Sequence, residues 1–451
     1  MKAGQSATCR LPIKFNATGG PVPMTKRRIV MCLDGTWNST YAKATREDGT
    51  DIAKPSNVLK LARAVLPVAL DGTSQIVYYD TGIGGEVDSE GGWKLFTSIQ
   101  KSKEGMWGLG FNANVEQAVT FLVNNYQSGS LDEVYFYGFS RGAATARAII
   151  QFIYWMGGLP TKRDAFYVPE FFEAYRKSKG KRSCDQVKRD RGLHIRRNGK
   201  KRNRFDPFQP IEIKLLGVWD TVYALGGQAI SVARGGYHVD TIPPRIVQRA
   251  YQALAIDESR GSFAPSIWND KFEHQDMIQM WFPGVHSNIG GGYARDGLAN
   301  VPLHWMAGLS KSCGLELDDD FLAYYRPYER DRLYNSKSLK YTLVDKVLSK
   351  KSGRNFLKLP ATVNQRFHPT ILARMLATKT ELGINKSNES SRVYQATLYR
   401  PDSMKEMLRG VLDPAAYCEN WAKEKWLPGL PDALDEPLRK RLPRVLRELS
   451  G

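Results

Sequence analysis

Hydrophobic residues in the first 310 positions form several short, nearly continuous runs. Four of these runs are rich in β-branched and aromatic residues, as buried strands are: 29–33, 134–137, 211–219 and 277–282. Residues 114–126 instead show helical spacing, with Val115, Ala118, Val119 and Leu122 on one face. Strands interspersed with helices predict an α/β protein with a mostly parallel sheet.

Ser140 lies where the run 134–137 gives way to helix-forming residues. Gly138, Ser140 and Gly142 form the pattern G-x-S-x-G, which between a strand and a helix is the nucleophile elbow of α/β-hydrolases. The two glycines allow strand and helix to approach closely. The amide of Arg141 would open the helix, where unpaired N–H groups can stabilise an oxyanion. An ordinary loop serine is the alternative interpretation.

A serine nucleophile needs a base and an orienting acid, which follow it in the order acid, then histidine. Among six histidines, His286 follows the run 277–282 and precedes three glycines, which favours it as the base. Asp220 ends the run 211–219 and is the better acid, because Asp276 precedes its strand and would lie at the opposite edge. A turn histidine and a capping aspartate, both without catalytic roles, are the alternatives.

The loop after the run 29–33 is the candidate for the second oxyanion donor. We predict that Gly35 and Thr36 supply backbone N–H groups and that Asp34 braces the loop. A hairpin turn at Asp34-Gly35 is the alternative, but the segment that follows is polar and mixed.

Five motifs occur in one order: LDGTWN, YGFSRGAATAR, LLGVWDTV, WFPGVHSNIGGGY and HWMAG. Together they resemble the uncharacterised α/β-hydrolase domain family to which type VI secretion phospholipase effectors belong, over residues 28 to about 310. The resemblance implies a triad of Ser140, Asp220 and His286 and the hydrolysis of lipid esters. The family usually has an acidic residue where this chain has Asn288, so a role of that carboxylate does not transfer. We assign Asn288 to support of the histidine loop.

Length and composition are those of a folded protein, with 451 residues of which 42% are hydrophobic. The predicted fold is an α/β-hydrolase-like, mostly parallel sheet flanked by helices, with insertions and a C-terminal cap or accessory region. The predicted divisions are an N-terminal extension (1–27), a catalytic domain (28–315) and the accessory region (316–451).

No signal-peptide pattern, membrane-spanning run or disulfide framework is visible in the sequence. We therefore expect synthesis in the cytoplasm, which is compatible with export by a signal-independent secretion system.

The net charge of +19 is concentrated in one insertion, at about 160–210. Between Arg176 and Arg204 there are fourteen lysines and arginines and two aspartates, with no apolar periodicity. We interpret this stretch as a solvated insertion. It is either a plain soluble surface or a contact for an anionic membrane, an anionic partner or nucleic acid.

These patterns predict a serine carboxylic ester hydrolase, most simply of phospholipase A type, with no cofactor and no metal. The expected substrate is a phospholipid or another membrane-surface ester, and a small-ester or acyl-peptide hydrolase is the alternative within the class. The resemblance adds a secretion-machinery or immunity partner. The rival class is a non-catalytic protein of the same fold that binds an anionic partner or nucleic acid through the basic insertion. Nucleic acid is not expected, because the basic stretch that begins at Arg176 has no aromatic residue for stacking before Phe205.

Overall fold

The computed structural model describes residues 14–15, 21–22, 25–35, 43–45, 51–82, 105–128, 131–178, 182–192, 207–222, 241–334, 336, 365–378, 382, 398–401 and 441. Its centre is a parallel sheet of seven strands. In chain order these are β1 (Arg27–Leu33), β2 (Ser74–Asp80), β3 (Glu133–Phe139), β4 (Ile213–Trp219), β5 (Arg249–Ala255), β6 (Asp276–Phe282) and β7 (Gln365–Phe367).

The strand order across the sheet is β2-β1-β3-β4-β5-β6-β7. The chain first adds β2 on one side of β1, then crosses over to place β3 on the other side and continues in that direction. The order therefore reverses between β1 and β3. In open parallel sheets such a reversal leaves a crevice at the carboxyl ends of the two strands, where ligands bind.

Helices cover both faces of the sheet. They are α1 (Asn57–Ala64), α2 (Gly105–Asn125), α3 (Arg141–Met156), α4 (Val168–Ser178), α5 (Cys184–Gly192), α6 (His286–Gly290), α7 (Gly297–Ser312), α8 (Asp319–Tyr324) and α9 (Pro369–Leu376). Two small antiparallel sheets pair Lys14–Phe15 with Pro21–Val22 and Lys43–Thr45 with Asp51–Ala53.

The central strands supply two hydrophobic cores by alternation. In β1, Ile29 and Met31 join the core beneath α2, α3 and α4, whereas Val30 and Cys32 join the core beneath α1 and α7. Because successive side chains point to opposite faces and both faces are covered, most positions of the central strands are apolar. This explains why the predicted strands appear in the sequence as continuous runs rather than alternating ones.

The predicted elements that lie in the described residues are found at their expected places. The runs 29–33, 134–137, 211–219 and 277–282 form or overlap β1, β3, β4 and β6, and the helical segment 114–126 lies almost entirely in α2, with its apolar face fully buried. No helix in the described part of the chain is both long and apolar enough to cross a membrane.

The described C-terminal segments do not stand apart from the sheet. Gln365–Phe367 pairs with β6 as the seventh strand, and α9 follows it with Ile371, Leu372 and Met375 fully buried. Leu317 bridges to Val65 beside α1. Part of the region predicted as accessory thus completes the main architecture, and the division of the chain at residue 315 stays a prediction.

The basic insertion contains a short helix, and most of its side chains from 182 to 189 are exposed, as expected for a solvated stretch. Helix α5 buries Cys184 and Val187, and its Lys188 ammonium lies 3.3 Å from the centre of the Phe208 ring. Cys184 and Val187 are only three positions apart, and so short an apolar pattern cannot be recognised among so many basic residues. Residues 193–206, which carry six of the basic side chains, lie outside the described residues.

The insertion is attached at the amino edge of the sheet. Trp155, near the end of α3, donates from Nε1 to the Arg182 carbonyl at 2.7 Å. Leu159 bridges to Gln209, which precedes β4. These contacts lie at the end of α3 remote from Ser140.

Candidate active site

Ser140 joins the carboxyl end of β3 to the first turn of α3 in a sharp turn. Its backbone has φ 57° and ψ −121°, a conformation that non-glycine residues rarely adopt. A Cβ on Gly142 would lie 2.2 Å from the Leu33 carbonyl oxygen, and one on Gly138 would lie 2.6 Å from the Cα of Ala143. The two glycines of the motif are therefore required by close packing of backbone against backbone.

The three side chains predicted as a triad form one hydrogen-bonded chain. Ser140 Oγ lies 2.8 Å from His286 Nε2, and His286 Nδ1 lies 2.6 Å from Asp220 Oδ2. All three residues are buried, and Asp220 completely so. They come from the carboxyl ends of β3, β4 and β6 and meet at one rim of the sheet, beside the crevice that the strand order predicts.

Asp220 is held by the neighbouring strand as well as by the histidine. Its backbone N–H donates to the Ala253 carbonyl at 2.8 Å, and its Oδ1 accepts the Ala255 N–H at 3.0 Å. Asp220 also has a positive φ, 42°. With both carboxylate oxygens engaged, the side chain accepts an Nδ1–H from His286, and Nε2 is left to accept the Ser140 hydroxyl proton.

The imidazole of His286 is neutral near pH 7, because its pKa lies below that of an ordinary histidine. Burial lowers its pKa, and the hydrogen bond to Asp220 and the charge of Asp220 oppose that effect without reversing it. A neutral imidazole is the form that can accept a proton from a hydroxyl group.

Aromatic rings enclose the imidazole. The ring of Phe139 lies 4.7 Å from it, and that of Phe263 packs edge-on at 5.0 Å between ring centres. A Cβ on Gly290 would overlap the Phe139 ring, and one on Gly291 would approach the backbone of residues 55–57. The glycines after the histidine thus allow two close approaches.

His286 begins the short helix α6, whereas the sequence predicted a flexible loop. Asn288 stabilises this turn, because its Oδ1 accepts the Val285 N–H at 3.3 Å and its Nδ2 donates to the Arg332 carbonyl at 3.2 Å. A carboxylate could not make the second bond, so the structure gives a reason for an amide here.

The loop after β1 is braced by Asp34, as its assignment to loop support requires. The Asp34 carboxylate accepts hydrogen bonds from the Ser56 hydroxyl, from the Tyr79 hydroxyl at 2.7 Å and from the Gly35 N–H at 2.6 Å. The Gly35 N–H is therefore directed at Asp34, and its role as an oxyanion donor stays a prediction. Thr36 lies outside the described residues, and Arg141 is placed as predicted, at the first position of α3.

The sequence predictions missed the acidic pair that follows β5. Asp257 Oδ2 accepts the Gly284 N–H at 2.6 Å, and Glu258 Oε2 accepts the His286 N–H at 3.2 Å. Glu258 also forms an ion pair with Arg260. Two carboxylates just after a strand are a usable signal, but β5 itself, with Gln252 at its centre, was not recognised as a strand.

The described residues contain no group of three histidine, cysteine, aspartate or glutamate side chains placed to hold a metal ion. The cysteines Cys32, Cys184 and Cys313 are buried with free thiols.

Residues 27–308 match the family model described as the T6SS phospholipase effector Tle1-like catalytic domain. The chain belongs to this family. The match begins and ends close to the limits of the resemblance seen in the sequence, and it contains all three residues of the hydrogen-bonded chain.

Other similarities are more distant. An uncharacterised protein of Saccharomyces cerevisiae is 24% identical over 262 residues, which are 55% of this chain and 35% of that protein. The chain thus spans about a third of the length of this curated relative. The solved structure of the Tle1 effector bound to the VgrG spike of the type 6 secretion system is 16% identical, with a TM-score of 0.42 over 77% of this chain and 84% of that one. The crystal structure of an uncharacterised protein from Pseudomonas aeruginosa is also 16% identical, with a TM-score of 0.39 over 94% of this chain and 62% of that one.

Proposed function

We propose that this protein is a serine carboxylic ester hydrolase of phospholipase A type. The observation that carries the proposal is the hydrogen-bonded chain from Ser140 through His286 to Asp220. The same arrangement of nucleophile, base and orienting acid recurs on unrelated hydrolase folds. Membership in a phospholipase effector family supports a phospholipid as the substrate.

In the proposed reaction the Ser140 oxygen attacks the ester carbonyl carbon while His286 Nε2 takes the hydroxyl proton. Asp220 keeps the imidazole in the required tautomer and stabilises the imidazolium that forms. The imidazolium then gives its proton to the departing alcohol, which leaves an acyl group on Ser140. Water, activated by the same imidazole, releases the fatty acid and restores the serine.

The negative oxygen of the tetrahedral intermediate needs donors close to Ser140. The backbone N–H of Arg141 opens α3, where the first amides have no partner within the helix. The loop of Gly35 and Thr36 is the proposed second source, and Gly35 would have to turn its N–H away from Asp34 to donate. Loss of one such donor typically lowers turnover by about 10²–10³-fold.

The proposed setting is delivery by a type VI secretion machinery. The family description names effectors of that system, and we infer that this chain travels by the same kind of route. An immunity protein that blocks the enzyme stays a prediction from the family alone.

The deciding experiment is labelling with a serine-directed phosphonate, combined with hydrolysis of phospholipid vesicles. We expect Ser140→Ala to lose the label and at least about 10³-fold in turnover. Ser312→Ala removes an exposed hydroxyl at the end of α7 and serves as the matched control. Unchanged hydrolysis by S140A would overturn the proposal. Absent labelling together with salt-sensitive binding of polyanions would favour the non-catalytic alternative.

A further inference from the structure

Two consecutive acidic residues connect the end of β5 to the segment that carries the histidine. Asp257 pairs with Gly284 through two bonds, since its N–H donates to the Gly284 carbonyl at 3.1 Å and its carboxylate accepts the Gly284 N–H. Glu258 accepts the N–H of His286 itself. The backbone on both sides of Val285 is therefore fixed from β5.

Glu258 is more deeply engaged than one backbone contact requires. Its side chain is completely buried. Oε2 accepts from His286 N–H and from Arg260 Nη2 at 2.8 Å, whereas Oε1 accepts from Arg260 Nε at 2.9 Å, from the Arg260 backbone N–H and from the Ser336 hydroxyl, the last two both at 2.8 Å. Such two-pronged contact with a guanidinium fixes the plane of the carboxylate as well as its position.

The ion pair is also an electrostatic neighbour of the imidazole. The Arg260 guanidinium lies 3.5 Å from the centre of the Phe263 ring, which packs edge-on against His286. Arg260 disfavours a positive charge on His286, and Glu258 and Asp220 favour one. Tyr293 and Asp257 are further titratable groups beside the pair among the described residues. A buried carboxylate is costly unless it is paired, which argues for a function of the pair beyond packing.

We propose that Glu258 is a positioning residue for His286: its carboxylate fixes the histidine backbone and balances the charge of Arg260 near the imidazole. The proposal rests on the esterase function proposed above. The hydrogen bonds described above join Glu258 to the His286 backbone, to Arg260 and to Ser336, so the proposed effect on the reaction passes through His286.

Glu258→Gln is the informative variant because it keeps the size of the side chain. A carboxylate offers two acceptor oxygens, and each is used here by more than one donor. A glutamine offers one oxygen and an NH₂ group, so Arg260 must face a donor in either orientation of the amide, and the His286 N–H does so in one of them. It also removes the negative charge while Arg260 remains.

We expect E258Q to lower kcat by about 10- to 100-fold, with KM for a soluble short-chain ester unchanged. The acid limb, the fall of kcat/KM at low pH, should move to lower pH. The Glu258 charge that favours the imidazolium is gone, and the Arg260 charge that disfavours the imidazolium remains. In the double variant Glu258→Gln with Arg260→Met, both charges are absent and the acid limb should return towards that of the natural protein. The methionine retains an unbranched stem over Phe263.

Asp276→Asn is the control. Asp276 is a carboxylate at the amino end of the adjacent strand β6, bonded to the Tyr251 hydroxyl, about 20 Å from the catalytic rim by strand length. It should leave both kcat and the pH profile unchanged.

If E258Q is folded and changes neither kcat nor the acid limb, and S140A is inactive, the role of Glu258 is wrong and the esterase function stands. An equal shift in D276N would also overturn it, because the effect would not be local. Retained activity in S140A would defeat the esterase function itself, whatever E258Q does.

Discussion

At the scale of single residues, the protonation of His286 decides when the proposed reaction can run. Burial of the imidazole lowers its pKa, and Asp220 only partly compensates. The base is therefore neutral over a wider pH range than an exposed histidine, whose pKa is about 6.5. The serine hydroxyl has a proton acceptor whenever the imidazole is neutral.

We predict that kcat/KM falls only at pH values below the pKa of an ordinary histidine, about 6.5. The sequence alone predicts a fall below about pH 6.5, and the buried site moves this limb to lower pH. The measurement is kcat/KM for a soluble short-chain ester between pH 4 and 9, at constant ionic strength. A midpoint above pH 7, or a rate that does not vary with pH, would contradict His286 as the base.

At the scale of elements, the junction of β3 and α3 determines where the proposed nucleophile, Ser140, lies. The first turn of α3 packs onto the end of β1, where Gly142 faces the carbonyl oxygens of Leu33 and Asp34. The Ser140 N–H donates to the Trp219 carbonyl at 3.0 Å, which fixes the same turn to β4. Three adjacent strands therefore hold one hydroxyl group in place.

We predict that Gly142→Ala destabilises the fold by at least about 3 kcal/mol, because the added methyl group meets backbone atoms that no rotamer change can move. Gly157→Ala is the comparison at the other end of the same helix. Gly157 has φ 76° but open space around its Cα, so only the backbone conformation is penalised, by about 1–2 kcal/mol. Urea denaturation of both variants gives the two values. Equal losses would show that the junction at Gly142 can relax.

The sequence predicted those elements whose signal is local. The strands before Ser140, Asp220 and His286 are each seven residues long and apolar on both faces, and the elbow has a motif of its own. Strand β7 has only three residues, too few to show any periodicity. The contacts of Glu258 join residues 28 and 78 positions apart, and no spacing in the sequence encodes such a distance.

At the scale of the whole molecule, the proposed catalytic rim and the described attachment of the basic insertion lie at opposite edges of the sheet. Helix α3 has 16 residues and begins at the carboxyl edge, so its last turn lies about 20 Å from Ser140. The described part of the insertion is attached there, against Trp155 and Phe208.

Asp257 connects distant parts of the chain, and we predict that its charge makes stability depend on pH. Burial raises its pKa from 3.8 to about 6, so the ionised form costs stability once the pH rises through that range. Asp257→Asn should therefore raise the free energy of unfolding at pH 7.5 by roughly 2–3 kcal/mol and leave it unchanged below about pH 4. An asparagine oxygen can still accept from Gly284 and Tyr399, which both bind Oδ2.

Tyr399→Phe is the opposing variant in this test. It removes a donor that stabilises the ionised carboxyl, so it should lower stability at pH 7.5 more than at pH 4. Urea unfolding of D257N, Y399F and the natural protein at both pH values gives the change in the free energy of unfolding for each variant at each pH. If D257N is the less stable protein at neutral pH, the carboxylate contributes more as an acceptor than its burial costs.

Ser140 and Asp220 both sit at corners of the backbone that would suit glycine better than a residue with a side chain. The proposed ester cleavage gives a reason why a hydroxyl and a carboxylate are kept at such unfavourable places. In a related protein without this activity, glycine at both positions would relieve the backbone strain and make the fold more stable. Glycine at these two positions would therefore mark lineages that kept the scaffold and abandoned the chemistry.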